Sequence, residues 1–161
     1  MNSLVPASLG AVGGYVFAQV PPYHDRTKGK ASVLVLSCID PRFTHDTAWF
    51  LTHNQELHAD YDLICLAGAS IGFFHSECWK NMFLEHIDLA VQLHGITEIW
   101  CINHLDCGMA KATFKVDDDT ESLHLDSMRS LKKELATSHP KLKFKGYLID
   151  VHGYISKKVS E

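Results

Sequence analysis

The sequence predicts a single α/β domain with a central, mainly parallel sheet of about four strands flanked by helices. Short apolar segments alternate with longer segments of helical periodicity. The resulting order, strand, helix, strand, helix, strand, helix, strand, is typical of right-handed crossovers that build a parallel sheet. At 161 residues the chain has the length of one domain that can bury its own hydrophobic core.

Four segments are predicted to form the strands. Residues 32–37 (SVLVLS) are a short, apolar, β-branched run, which is typical of a strand buried on both faces. Residues 61–66 (YDLICL) are predicted as a second buried strand, and the small side chains of residues 67–72 predict a tight loop with a close backbone approach after it. Residues 97–102 and residues 142–151 complete the set.

Three segments have helical periodicity. Residues 46–57 have a modest helical period after a turn that contains proline. Between residues 83 and 94 apolar side chains recur at steps of three and four, and Gly95 follows as a C-terminal cap, which makes this the clearest helix. A further helical pattern spans residues 123–135 and ends before Pro140.

The composition limits the classes of function. Hydrophobic residues make up 46% of the chain and charged residues 21%, as in ordinary soluble globular proteins. A formal net charge of -4 with scattered lysines gives no basic patch, so nucleic acid is not an expected partner. Five cysteines form an odd set without a dense framework, which favours reduced thiols and a cytoplasmic location.

Residues 1–30 are predicted to be an N-terminal arm, and residues 31–161 are predicted to form the domain. No charged side chain occurs before residue 24, so a cleaved targeting peptide for an organelle or for export is the alternative. The missing basic start and the interrupting prolines and glycines favour an arm that packs on the core or on a partner. The same interruptions argue against a membrane span.

Unusual side chains follow two of the predicted strands. Residues 38–42 (CIDPR) come directly after the first strand, and residues 103–108 (NHLDCG) after the third. Open parallel sheets bind ligands outside the carboxyl ends of their strands. If the first and third strands are neighbours, these two loops converge.

Convergence of the loops would bring together two thiols and an imidazole, from Cys38, Cys107 and His104. These are ligands suited to a tetrahedral zinc ion. Three protein ligands leave the fourth position open, which is the arrangement of a catalytic zinc site. Asp40 and Arg42 are predicted to form an ion pair that keeps the carboxylate ionised and orients it beside the metal.

The two motifs together resemble the metal motif of the β-carbonic anhydrases. Cys38, Asp40 and Arg42 match its Cys-x-Asp-x-Arg half, and residues 104–108 match its His-x-x-Cys-Gly half. The resemblance extends over roughly residues 31–155 through the small-residue loop after the second strand and the last core strand.

The resemblance implies a β-carbonic-anhydrase-like fold and a Zn2+ cofactor held by Cys38, His104 and Cys107, with Asp40 and Arg42 beside it. It further implies reversible hydration of carbon dioxide to bicarbonate by a zinc-bound hydroxide in a homodimer or higher homo-oligomer. It also implies that the aspartate either leaves the fourth zinc position to water or occupies it itself.

The chain departs from the family pattern at several positions. Pro41 stands where the family usually has serine, and Cys65 and Leu66 replace an arginine and an asparagine. A glutamine that holds bicarbonate in some members has no counterpart, since Gly29 occupies the approximate position. These departures bear on the substrate more than on the metal.

Three alternatives stay open at this point. The same zinc site suits a hydrolase of a related heterocumulene, carbonyl sulfide or carbon disulfide, and a non-catalytic family member in which Asp40 closes the fourth position. A cysteine-based phosphatase or sulfurtransferase also places a thiolate after a strand, although Asp40 would repel its anionic substrate.

Other conspicuous residues are given plainer interpretations. Cys65 and Cys101 are expected in the core because they lie inside strands, and the acidic residues 117–119 are expected to form a solvated loop. Phe43, Phe73 and Phe74 lie near the motif loops and are candidates for apolar walls of the site or for core packing. A surface position or a packing contact is expected for seven further histidines. They are His45, His53, His75, His86, His94, His124 and His152.

Overall fold

The computed structural model describes residues 29–58 and 60–160, and the backbone of residues 9–12 and 15–18. The strands are β1 (Leu9–Val12), β2 (Tyr15–Ala18), β3 (Val33–Ser37), β4 (Tyr61–Cys65), β5 (Glu98–His104), β6 (Lys143–Ile149) and β7 (Ile155–Val159). The α-helices are α1 (Thr44–Trp49), α2 (Ser70–Phe73), α3 (Glu77–Leu93), α4 (Gly108–Phe114) and α5 (Glu121–Ser138). A 3-10 turn (Pro41–Phe43) precedes α1, and a π-helical turn (Phe50–Asn54) follows it.

Five strands form the main sheet in the order β4-β3-β5-β6-β7. The first four of these strands are mutually parallel, and β7 pairs antiparallel with β6. This arrangement confirms the predicted α/β fold class, with one strand more than the four expected. The extra strand follows a turn in which Gly153 has a φ of 84°, a backbone conformation that favours glycine. Strands β1 and β2 form a separate antiparallel pair.

Apolar side chains cover both faces of the central strands. All five residues of β3 are buried, as predicted for its β-branched run. One face packs against α3 and α5, where Phe83, Ile87 and Leu131 are almost fully enclosed. The other face packs against the segment after the 3-10 turn, with Phe50 and Leu51 in the core. Helices on both faces therefore hold the carboxyl ends of the strands at one rigid edge.

The prediction that residues 61–66 form a fully buried strand is wrong in its burial. Strand β4 lies at the edge of the sheet, and among the described strands it pairs with β3 alone. The side chain of Leu63 is 49% exposed, and Cys65 is exposed as well. An apolar run of this length does not distinguish a central strand from an edge strand whose outer face meets solvent or another surface.

The loop between β4 and α2 makes the close backbone approach that its small residues predict. Ala69 has a φ of 45°, and the amide of Gly72 lies next to Gly68 in the same tight turn. A Cβ atom added to Gly72 would overlap the carbonyl oxygen of Ala67. Glycine is therefore required at residue 72 for steric reasons.

The predicted arm of residues 1–30 falls mostly on residues outside the described part, and the predicted boundary at residue 31 stays a prediction. Of the helices described, none has the length and apolar character needed to cross a membrane.

Replacing Gly72 with alanine should destabilise the fold, because the new methyl group would have to displace backbone that is itself packed. We expect the free energy of unfolding to fall by about 1–3 kcal/mol, the usual range for overpacking. Denaturant titration would measure it. Gly29→Ala is the control, since nothing lies within 4 Å of a Cβ at that position; equal effects of the two substitutions would contradict the steric argument.

Candidate metal centre

The two motif loops meet because β3 and β5 are parallel neighbours. Ser37, the last residue of β3, lies opposite Ile102 in β5. Cys38 is the next residue after β3, and β5 continues two residues past Ile102 to end at His104. The expected adjacency of the first and third predicted strands is therefore confirmed, and both loops leave the same edge of the sheet.

Cys38, His104 and Cys107 form a compact cluster of potential metal ligands. Their ligand atoms all lie within 4.8 Å of one another. His104 and Cys107 are each 2% exposed, and Cys38 is partly buried. The loop after β4 closes the cluster from one side, since the backbone N–H of Gly68 donates a hydrogen bond to Sγ of Cys38 at 3.2 Å.

The imidazole of His104 is oriented so that one nitrogen faces the two thiols. Its Nδ1 lies 2.8 Å from the carbonyl oxygen of Leu105, which accepts the ring proton and leaves Nε2 as the atom with a free lone pair. The ring of Phe43 stacks on the imidazole at 4.4 Å between centroids. Within the described part of the chain, Nε2 of His104 is a buried polar atom without a hydrogen-bond partner. Such an atom beside two thiols fits a metal ligand.

The two thiols differ in their affinity for a proton. Contact with the Cys107 thiol, together with the His104 ring and the Gly68 amide, lowers the pKa of Cys38 to about 4 against the effect of burial. The pKa of Cys107 is raised, first by the neighbouring Cys38 and then by burial. The contact between the two thiols therefore favours loss of a proton from one of them, which gives the thiolate form that binds metals.

Asp40 and Arg42 form the predicted ion pair at the mouth of the cluster. Arg42 donates from Nη2 to Oδ2 of Asp40 at 2.8 Å and from Nε to Oδ1 at 3.0 Å, and its backbone N–H also donates to Oδ1. Hydrogen bonds from Arg42 lower the pKa of Asp40, which is thus held as a carboxylate. Its Oδ2 lies 3.8 Å from Nε2 of His104, so the carboxylate borders the space between the potential ligands.

Arg42 also binds the second motif loop, through a residue that the sequence analysis did not single out. Its Nη1 donates to Oδ2 of Asp106 at 2.7 Å, and its Nη2 donates to the carbonyl oxygen of Asp106 at 2.9 Å. Lys111 adds a bond to Oδ1 at 2.6 Å. Arg42 and Lys111 lower the pKa of Asp106 to about 2. Arg42 therefore ties the two loops together, a contact across 64 residues that spacing in one motif does not indicate.

The other candidate residues divide between the site and the rest of the molecule. Phe43 is buried against His104, as an apolar wall of the cluster would be. Phe73 lies in the core against Phe83, and Phe74 is 45% exposed.

The predictions for the cysteines outside the cluster and for the acidic residues 117–119 are only partly confirmed. Cys101 is buried as expected, whereas the prediction that Cys65 is a core residue is wrong, because it ends an edge strand. The side chain of Asp119, expected in a solvated loop, is 3% exposed.

These features together define an α/β protein with a Cys-His-Cys cluster that could bind a metal at the carboxyl edge of its sheet. A family model described as "Putative carbonic anhydrase" matches residues 28–159, and the chain belongs to this family. Two uncharacterized rickettsial proteins are similar in sequence over 88% of the chain. The one from Rickettsia bellii is 26% identical across 90% of its own length, and the one from Rickettsia conorii is 24% identical across 80%.

Solved β-class structures share the fold. A carbonic anhydrase from Streptococcus mutans superposes with a TM-score of 0.57 at 21% identity, covering 85% of this chain and 87% of that one. A tetrameric β-carbonic anhydrase from Sordaria macrospora gives a TM-score of 0.53 at 15% identity, covering 79% and 80% of the two chains. The fold and family named by the resemblance are thereby confirmed.

Truncation of Phe43 to alanine should destabilise the protein far more than truncation of Phe74. Phe43 is 8% exposed and packs against both the core and His104, so its loss leaves a cavity that should cost about 3–5 kcal/mol. Phe74 is 45% exposed, so only about half of its apolar area is lost from burial, and we expect about 1–2 kcal/mol. Unfolding titrations of the two variants would measure the difference, and similar losses would contradict the placement of Phe43 in the packed wall.

Proposed function

We propose that this protein is a zinc-dependent carbonic anhydrase that hydrates carbon dioxide reversibly to bicarbonate. In this proposal Cys38, His104 and Cys107 hold the metal, and Asp40 and Arg42 are the catalytic pair. The observation that carries it is the buried Nε2 of His104, which lies beside two thiols and has no hydrogen-bond partner among the described residues. Membership of the carbonic anhydrase family supports the choice of reaction.

The chemistry of the donor set suits a catalytic zinc ion. Two cysteine sulfurs and one imidazole nitrogen are three of the four ligands that a tetrahedral zinc takes, and the fourth position is left for water. A zinc ion bound in this way lowers the pKa of water to about 7 and supplies a hydroxide nucleophile near neutral pH.

The residues around the cluster have distinct tasks in this proposal. Asp40 would accept a hydrogen bond from the O–H of the attacking oxygen, and this bond would orient a lone pair of that oxygen toward carbon dioxide. Arg42 keeps the Asp40 carboxylate ionised and in place through bonds to both of its oxygens. Phe43 holds the imidazole of His104 by stacking and presents an apolar surface beside it.

The Asp40–Arg42 pair favours a catalytic site over a closed, purely structural one. A carboxylate that occupies the fourth metal position would have to give up at least part of its contact with Arg42. Both oxygens of Asp40 accept bonds from Arg42, and the guanidinium is held further by Asp106. This arrangement supports an open fourth position.

We further propose that the protein is a homo-oligomer of the cytoplasm. One structural neighbour is described as tetrameric. The edge strand β4 and helix α3 expose Leu63, Leu89 and Leu93 together along one apolar groove, a surface suited to burial between copies. All five cysteines are free thiols, as expected in a reducing compartment.

The proposal predicts one zinc ion per chain and carbon dioxide hydration that depends on it. Cys107→Ser should lose both the zinc and the activity, whereas Cys78→Ser, which changes an exposed thiol, should lose neither. Metal content would be measured first by elemental analysis. Hydration of carbon dioxide would then be measured by stopped flow at about pH 8–9, where a zinc-bound water is ionised. A fully zinc-loaded protein without activity under these conditions would rule out the carbonic anhydrase assignment.

Replacing Asp40 with asparagine should separate metal binding from turnover. The amide keeps the size of the side chain but loses the charge and one acceptor, so we expect zinc to remain bound and kcat to fall about 10–100-fold. Asp117→Asn is the matched control, since it removes a carboxylate from the exposed part of a loop. Unchanged kinetics in Asp40→Asn would show that the carboxylate of Asp40 has only a structural role.

A further inference from the structure

Asp119 is a carboxylate buried behind the second motif loop. Its Oδ1 accepts the backbone N–H of Asp106 at 2.8 Å, and its Oδ2 accepts the backbone N–H of Cys107 at 2.9 Å. The side chain is 3% exposed, although Asp118 next to it is 97% exposed. One carboxylate thus satisfies two successive amides of the loop that carries Cys107.

His124 holds this carboxylate from within the core. Its Nε2 lies 2.6 Å from Oδ2 of Asp119, and the imidazole is 1% exposed. Its Nδ1 lies 3.3 Å from the amide nitrogen of Asn103, which can only donate there. The histidine proton therefore sits on Nε2 and is donated to Asp119. Burial lowers the pKa of His124, in agreement with a neutral ring.

The same network reaches the other segments that carry potential ligands. Asn103 precedes His104 in β5, and its side chain exchanges hydrogen bonds with the Ser70 hydroxyl at 2.7 and 3.1 Å. Ser70 begins α2, directly after the loop whose Gly68 amide donates to Cys38. The network of Asp119, His124, Asn103 and Ser70 therefore binds the backbone of the Cys107 loop, includes the residue before His104 and ends at the start of α2, two residues after Gly68.

The backbone of the loop needs such support. Asp106 has a φ of 58°, a left-handed conformation that residues other than glycine seldom adopt, although aspartate adopts it more readily than most. Strained residues of this kind persist where the surroundings hold them from several directions. Asp119 holds the N–H of Asp106 from the interior, and Arg42 holds its carbonyl oxygen from the outside. The left-handed turn directs Cys107 back toward Cys38 and His104.

We propose that Asp119, oriented by His124, is a positioning residue that fixes the Cys107 loop in the geometry required for metal binding. It acts through the backbone of Asp106 and Cys107 and touches neither the metal nor the substrate. This inference rests on the proposed metal site but not on the identity of the reaction.

The test measures the release of zinc from the loaded protein into excess chelator. In Asp119→Asn a side-chain NH2 group replaces one carboxylate oxygen, so one of the two backbone N–H groups loses its acceptor. The loop should then loosen, and zinc should dissociate about 10–100-fold faster, as is typical when a hydrogen-bond partner behind a metal ligand is removed. Asp117→Asn, in the same acidic run but exposed, should release zinc at the rate of the unmodified protein. Equal rates in the two variants would overturn the proposal.

Cobalt substitution separates positioning from general stability. The visible bands of a cobalt ion report on its ligand geometry, so Asp119→Asn should change their intensity, whereas a substitution that merely weakens the fold should not. Thermal unfolding of the metal-free variants shows separately how much each substitution lowers the stability of the fold. Lowered stability with an unchanged cobalt spectrum would also overturn the proposal.

A second pair of variants covers the case in which Asp119→Asn does not fold. His124→Gln retains an N–H donor for Asp119 and should release zinc more slowly than His124→Leu, which retains none; the reverse order would count against the proposal.

In the unmodified protein, the amides of Asp106 and Cys107 should exchange with solvent more slowly than that of Gly108, the first residue of α4. If these two amides exchange as fast as the amide of Gly108, the carboxylate of Asp119 does not hold them.

These readouts distinguish the two proposals. A protein that binds zinc and shows the predicted release rates but does not hydrate carbon dioxide would retain the positioning role and lose the proposed reaction. An active zinc enzyme in which Asp119→Asn and Asp117→Asn release zinc at the same rate would retain the proposed reaction and lose the positioning role. A chain that binds no zinc would overturn both.

Discussion

The parallel pairing of β3 with β5 is the constraint on which the site depends. It sets the carboxyl ends of two strands that are far apart in sequence at the same edge, so that Cys38 meets His104 and Cys107. Parallel strands need a long crossover, and the intervening chain supplies one through β4 and α3. Apolar packing on both faces keeps this register, because a shift by one residue would turn every core side chain of β3 to the opposite face.

Much of this arrangement could be predicted because it follows from local pattern. The β-branched run of β3 and the three- and four-residue steps of α3 predict their elements, and the rule that ligands bind at strand ends directs attention to Cys38 and His104. Burial in the finished sheet is not local. Cys65 and Cys101 have similar sequence surroundings, yet one ends an edge strand and the other is enclosed between β3 and β6.

Long-range polar contacts are the part of the site that sequence pattern does not reveal. Asp119 stands in a run of three identical residues, and only its backbone position directs it inward to the amides of Asp106 and Cys107 while Asp118 faces solvent. Arg42 was recognisable as a partner of Asp40 two residues away. Its second partner, Asp106, is brought to it by the fold. A charge run is normally solvated, and this one is an exception at a single residue.

The electrostatics of the mouth argue against the cysteine-phosphatase alternative. An anion-binding cysteine site needs free amides and an unpaired guanidinium around the thiolate. Arg42 is instead engaged by the carboxylates of both Asp40 and Asp106, and Asp40 itself borders the cluster. A cation beside the thiol of Cys38 and the lone pair of His104 would also face the carboxylate of Asp40, whose Oδ2 lies 3.8 Å from Nε2 of His104. Without one, the buried Nε2 of His104 would stand unsatisfied at a cost of about 1–3 kcal/mol.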